Sequence, residues 1–257
     1  MLRGLYIAGG GMTERSVNLE VLNNNIANIQ TNSFKRDRVS YGPFKEMLIR
    51  RIQDNAQPSI TGKTPLGTEI KPFTFTDYSQ GPLTPSGDDR DLALEGDGFF
   101  KIMLPNGETR YTRDGHYTLL PDGTMVDRDG NFFLDDTNQK INITGKGDLM
   151  FTPDGEIFQD NASIGQIGVF EINDLSVLAK DGNIFYRLDG DPLTFEQKAQ
   201  TTDVLQGYIE RPNCSPIGLI TEMITLLREY EANQKVVQAF DESTNDAITT
   251  LGSPLGG

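Results

Sequence analysis

His116 is the only histidine and Cys214 the only cysteine of the 257 residues. A Ser-His-Asp arrangement would therefore have to be built on His116, and a cysteine-rich metal site cannot be built at all. His116 follows the Asp114-Gly115 pair and heads an apolar run, which reads as an exposed strand residue. Asp88, Asp89 and Asp91 could share acid and base roles only if one carboxyl were desolvated. They stand between Gly87 and Leu92 in what reads as a solvated loop. Asp127-Arg-Asp129-Gly130 is similar to the middle of a calcium loop, and Asp136 falls at the twelfth position, but Met125 occupies the first ligand position. Gly96-Asp97-Gly98 lacks the third glycine and the following helix of a dinucleotide loop. With no tryptophan, a sugar-binding groove would have to rely on tyrosine. No catalytic constellation emerges, so the reading is of a non-enzyme with no metal, no cofactor and no small-molecule substrate.

Composition narrows the partners. A net charge of −14 argues against nucleic acid or an anionic membrane as the main partner. A lone cysteine excludes an internal disulfide. No stretch reaches the roughly 18 to 20 apolar residues needed to span a bilayer. The run from Met1 to Met12 is faintly like a signal peptide, but three glycines interrupt it and Glu14 and Arg15 follow at once. A helical repeat also passes through it, so a route without cleavage is expected.

The elements that remain are helices at the two ends and strands between them. Leu5, Met12, Leu19 and Ile26 recur every seven residues, with Ala8, Leu22 and Ile29 in a second row and Arg15 as a charged interruption. Near the other end Met223, Tyr230, Val237 and Leu251 repeat with the same period, broken at Thr244. Leu219, Leu226, Phe240 and Ala247 form the matching row, broken at Asn233. Such a pattern marks a helix seam that needs a partner helix. The first helix is expected from Leu2 to Ile29. Gly9, Gly10 and Gly11 within it read either as a hinged first turn or as a small face for close helix contact. A short helix is expected over Met47–Ile52, a loop punctuated by Pro58, Gly62, Pro65 and Gly67, and a strand within Glu69–Tyr78. From Phe99 onward, Asp-Gly pairs about every eight residues predict a meander of short strands. Helix resumes past Gln206, with Pro216 near its start and Gly252 past its end. The fold class is α+β: N- and C-terminal helices pairing as a coiled coil around a mainly antiparallel β middle domain.

Three stretches are similar to one known family. Asn24-Asn25-Ile26-Ala27-Asn28-Ile29-Gln30-Thr31-Asn32-Ser33-Phe34-Lys35 resembles the N-terminal signature of the bacterial flagellar rod and hook family, with Ser33 where that family has glycine. The signature residues are Asn24, Asn25, Ala27, Asn28, Thr31, Phe34 and Lys35. Asp91–Phe100 followed by Tyr111-Thr-Arg-Asp-Gly115 is a second match. Leu205–Glu210 and Tyr230–Lys235 form a third, with Pro212-Asn213-Cys214 in place of the usual Ser-Asn-Val. The length fits a rod member better than a hook subunit.

The resemblance implies an inner helical coiled-coil domain from residues 1–32 and 215–257, an extended connector from 33–78 and 201–214, and a β-rich outer domain from 79–200. It also implies a structural subunit of the basal-body rod that assembles helically and transmits torque from motor to hook. The implied partners are other copies of the chain, neighbouring rod proteins and the flagellar type III export apparatus, with no nucleic acid. The expected assembly seam is Leu5, Met12, Leu19, Leu22 and Ile26 with Leu226, Tyr230, Val237 and Phe240. The competing reading is a secreted carbohydrate-active or adhesive β protein oligomerised by its helical ends.

Overall fold

Residues 2–41, 46–51, 59–65, 72–143, 147–160 and 162–252 are described by the computed structural model. The chain divides into two units. One holds Met1–Ile26, Asp37–Phe75 and Pro216–Gly257, and the other holds Ala27–Arg36 and Thr76–Ser215.

The first unit is built on two helices, α1 (Leu2–Ala27) at one end and a longer one at the other. α1 stops two residues short of the expected Ile29. The chain turns there, with Thr31 N–H donating to the Asn28 carbonyl. Two strand pairs belong to the same unit. Asp37–Tyr41 pairs with Pro72–Thr76, whose last residue lies across the boundary, and Glu46–Arg51 runs antiparallel to Ser59–Pro65. Glu46–Arg51 corrects the short helix expected over Met47–Ile52, and Ser59–Pro65 corrects the loop expected around Gly62. A six-residue apolar and basic run fits either helix or strand by its pattern alone, and pairing with a later segment decides it. Ile52, Pro58, Gly67 and residues 69–71 of the expected next strand lie outside the described residues; Pro72–Thr76 falls within that expectation.

The second unit is a mainly antiparallel β structure. Among the described residues its largest sheet has nine strands, with Phe99–Met103 pairing with Thr109–Thr112, Phe132–Phe133 and Val169–Ile172. A three-stranded sheet joins Leu149–Phe151, Glu156–Gln159 and Ala162–Gln166. Two further pairs link distant segments: Leu92–Glu95 with Asp203–Gln206, and Leu83–Pro85 with Tyr208–Glu210. The larger of its two apolar cores gathers Leu94, Phe100, Ile102, Met125, Phe133 and Ile157. A smaller one holds Phe99, Tyr111, Phe170 and Tyr186.

The Asp-Gly grammar works by two mechanisms. At Gly123 the backbone has φ +87, and a Cβ would lie 2.2 Å from the Ile143 carbonyl oxygen, so both turn and packing require glycine. The aspartates accept backbone N–H bonds: Asp122 from Thr124, and Asp127 from Asp129 and Asn131. Gly115 differs. It needs no positive φ, but a Cβ there would sit 2.3 Å from the Leu92 carbonyl oxygen, so this Asp-Gly pair marks close packing.

The last helix follows the one-turn α2 (Pro192–Phe195) in the chain and is α3 (Pro216–Gly252). Pro216 opens α3, where its missing N–H is not needed. Gly252 is the last residue assigned to the helix, which therefore runs one position beyond the expected end.

Candidate functional site

Three sequence motifs meet at one buried point of the β unit. The Lys35 ammonium donates to Glu210 Oε1 at 2.5 Å and to the Ser79 carbonyl at 2.8 Å. Gly81 N–H donates to the same carboxylate oxygen, and Ser33 N–H donates to the Glu210 carbonyl, each at 2.8 Å. Arg113 stands 3.9 Å from Glu210 Oε2, donates to the Gly96 carbonyl at 2.6 Å and lies over the Phe99 ring. The Lys35, Glu210 and Arg113 side chains are 0%, 0% and 1% exposed.

Two buried cations thus share one buried carboxylate. Burial pushes the Lys35 ammonium below the usual lysine range, against the pull of Glu210, and burial lowers Arg113 in the same way. The carboxylate is what makes that charge tolerable in the interior.

The neighbouring backbone is tied in as well. Lys180 donates to the Lys35 carbonyl at 2.8 Å and covers the fully buried Phe34 ring. Asn213 accepts from Arg36 N–H and donates to the Asp77 carbonyl. The arrangement is a mechanical junction: it fastens Ala27–Arg36 to strands more than a hundred residues away. Of the signature residues, Phe34 and Lys35 enter it directly. Asn28 is buried in the turn before it, with Thr31 half-buried beside it, and Asn24 and Ala27 are exposed. Asn25, in the helical unit, is buried and exchanges two hydrogen bonds with the Asp37 backbone. Glu210 and Arg113 stand in the quoted motifs, but the residues alone assign them no role.

Ser33 has φ +60, the left-handed conformation that glycine adopts without strain. A residue with a Cβ pays about 1–2 kcal/mol there, and glycine loses roughly 0.5–1 kcal/mol in chain entropy. Ser33→Gly is therefore expected to raise stability by about 0.5 kcal/mol, read as a small upward shift in Tm. A fall in Tm would mean that the buried hydroxymethyl group matters more than the backbone strain.

The helical unit presents its rows differently. Leu5, Met12, Leu19 and Ile26 of α1 are half-buried and Leu22 is buried. On α3, Leu219 is buried and Met223, Leu226, Tyr230, Asn233, Val237, Phe240 and Ala247 are half-buried, whereas Thr244 is exposed. The two helices touch at Gly4, where a Cβ would lie 2.5 Å from the Phe240 ring, and at Gly11, where it would lie 3.0 Å from Asn233 Nδ2. Arg15 Nε approaches Glu229 Oε2 at 2.6 Å. Gly11 thus serves close helix contact, while Gly9 has nothing within 4 Å. A second apolar row, Ile217, Ile220, Ile224 and Leu227, is exposed, Ile217 to 78%. Its three-four-three spacing was readable in the sequence but is overshadowed there by the longer rows.

His116 and Asp91 are placed otherwise than expected, while Asp89 is exposed as its loop predicts. His116 is half-buried, lies before the strand Thr118–Leu119 and pairs through Nδ1 with Asp91 Oδ1 at 2.6 Å. Asp91 is buried, not solvated, and its backbone is held by bonds to Asp88 and Gly207. Among the described residues no hydroxyl bonds to His116, so the pair ties a loop to a turn. Asp127 spends both carboxylate oxygens on Asp129 and Asn131. Cys214 is half-buried, and burial pushes its thiol up.

Comparison with known proteins matches three family models along the chain. Residues 5–35 match a model described as flagella basal body rod protein, residues 93–186 the flagellar hook protein FlgE/F/G D1 domain, and residues 205–250 the flagellar basal body rod FlgEFG protein C-terminal model. The chain is 32% identical over 253 residues to the flagellar basal-body rod protein FlgF of Caulobacter vibrioides, covering 98% of this chain and 99% of that one. It is 31% identical to the rod protein FlgG of Buchnera aphidicola subsp. Schizaphis graminum, covering 94% and 97%. It is 30% identical to the flagellar hook-basal body complex protein FlhO of Bacillus subtilis, covering 98% and 99%.

Proposed function

This chain belongs to the flagellar basal-body rod protein family, as a structural subunit and not an enzyme, and on that premise we propose that its terminal helices carry its assembly into the rod. α1 and α3 pair as a coiled coil through Leu5, Met12, Leu19, Leu22 and Ile26 on one side and Leu226, Tyr230, Val237 and Phe240 on the other. Copies repeat one heterologous contact along a helix and so transmit torque from motor to hook. Family membership displaces the carbohydrate-active or adhesive reading.

The observation that carries this proposal is the two-sided apolar character of α3. One row turns inward within the helical unit while Ile217, Ile220, Ile224 and Leu227 face solvent. Covering that outer row with neighbouring subunits gains about 25 cal/mol per Å² of apolar surface. In this reading residues 1–32 with 215–257 form the inner domain, 33–78 with 201–214 the connector, and 79–200 the outer domain. The buried Lys35–Glu210 junction supports it by giving the chain leaving α1 a firm anchor. The segment Phe44-Lys-Glu-Met-Leu-Ile-Arg-Arg51, similar to the FlgF type more than to FlgG, supports a FlgF-type subunit. Partners are other copies, adjacent rod proteins and the type III export apparatus. The location is the periplasm-spanning rod, reached without signal cleavage.

Deleting the gene tests this reading. Cells are expected to lose motility and to yield basal bodies with an incomplete rod, both restored by the full chain. Complete, hooked basal bodies in the deletion strain would overturn it.

A further inference from the structure

We infer that Arg15 and Asn233, which interrupt apolar rows, together with Gly4 and Gly11 of α1, are a register key that aligns the terminal helices antiparallel in one way. The inference rests on the helix pairing proposed above and adds what selects its alignment.

Seven-residue rows alone do not select an alignment, because sliding one helix by a heptad sets the same kinds of residue opposite one another. Three contacts between α1 and α3 among the described residues break that degeneracy. Along α1 they fall at Gly4, Gly11 and Arg15, and their partners on α3 are Phe240, Asn233 and Glu229. The steps of seven and four residues run in opposite directions on the two helices, so all three contacts belong to one antiparallel register. The bulkiest side chain of its row, Phe240, lies against a glycine that has no Cβ to meet it. Asn233, which breaks the α3 row, meets Gly11. Arg15, which breaks the α1 row, lies between Glu14 and Glu229.

A heptad slide in one direction sets Arg15 against Val236. In the other direction Arg15 keeps an acid, Glu222, but Phe240 leaves Gly4 and Leu226 comes over Gly11. Neither alternative satisfies all three contacts. Arg15 and Glu229 are too exposed for their pair to add much stability. Its consequence is choice between alignments, which is how polar residues within apolar seams act.

The test is thiol cross-linking of the full chain in a Cys214→Ser background. Asn18→Cys with Leu226→Cys reads the observed register, because these positions continue the Gly4, Gly11 and Phe240, Asn233 series by one more heptad. Asn18→Cys with Leu219→Cys reads the slide that brings Glu222 opposite Arg15. The parent is expected to cross-link through the first pair and not the second. Glu229→Arg is expected to lower the first yield roughly five-fold, the change that a small stability difference makes in an equilibrium, and to raise the second. Adding Arg15→Glu to Glu229→Arg is expected to restore the first. Yields insensitive to Glu229→Arg, or not restored by the double reversal, would overturn the register key while leaving helix pairing intact. A helical parent that cross-links through neither pair would overturn the pairing itself.

Discussion

Glu210→Gln is expected to cost roughly 3–5 kcal/mol of unfolding free energy, because it strands the Lys35 and Arg113 charges in the interior. Glutamine keeps the size and can still accept from Gly81 N–H, so the loss would report charge and not a cavity. Adding Lys35→Met should cost much less than the sum of the two single changes, since one stranded cation is then gone and the partners are in direct contact. Chemical denaturation of the three variants measures this coupling. The single variant should also expose residues 27–36 to protease before the rest of the β unit. Additive costs, or a Glu210→Gln chain as stable as the parent, would show that the junction does not hold that segment.

How much of this was legible in the sequence depends on how far apart the partners lie. The helix rows were readable because Leu219, Leu226 and Phe240 repeat within a single element, and the half-buried positions of α3 follow that repeat. Turns at Gly123 and Gly130 were readable because an Asp-Gly pair states its own backbone requirement, with φ +87 and +85. Gly115 reads as a turn in the sequence, but its reason is the Leu92 carbonyl, which only the folded chain brings near. Met47–Ile52 reads as a helix because the pairing of Glu46–Arg51 with Ser59–Pro65 is not encoded in its own six residues. His116 and Asp91 are 25 positions apart, and neither type of residue announces the other.

The junction is the extreme case. Lys35 and Glu210 are separated by 175 positions, and no periodicity links them. Family resemblance marked both segments as special without giving the reason, which is a shared buried charge. Ser33 illustrates the reverse. The sequence shows a serine where the family has glycine, and the backbone keeps the left-handed turn regardless.

The second large effect is expected at the helix rows. Leu22 is 4% exposed, and Val237 lies half-buried on α3. Leu22→Asp or Val237→Asp places a carboxylate on an apolar face with no cation assigned to it, a change that costs several kcal/mol when the group is fully desolvated. Residues 76–215 belong to the other unit, so their β structure should persist, checked by circular dichroism and protease resistance. The most direct measurement is the amount of each variant in basal bodies purified from cells that lack the native chain. The account predicts that the parent is incorporated and that both aspartate variants are absent while the β unit remains folded. Incorporation of either variant at the parent's level, with normal motility, would contradict assembly through the terminal helices.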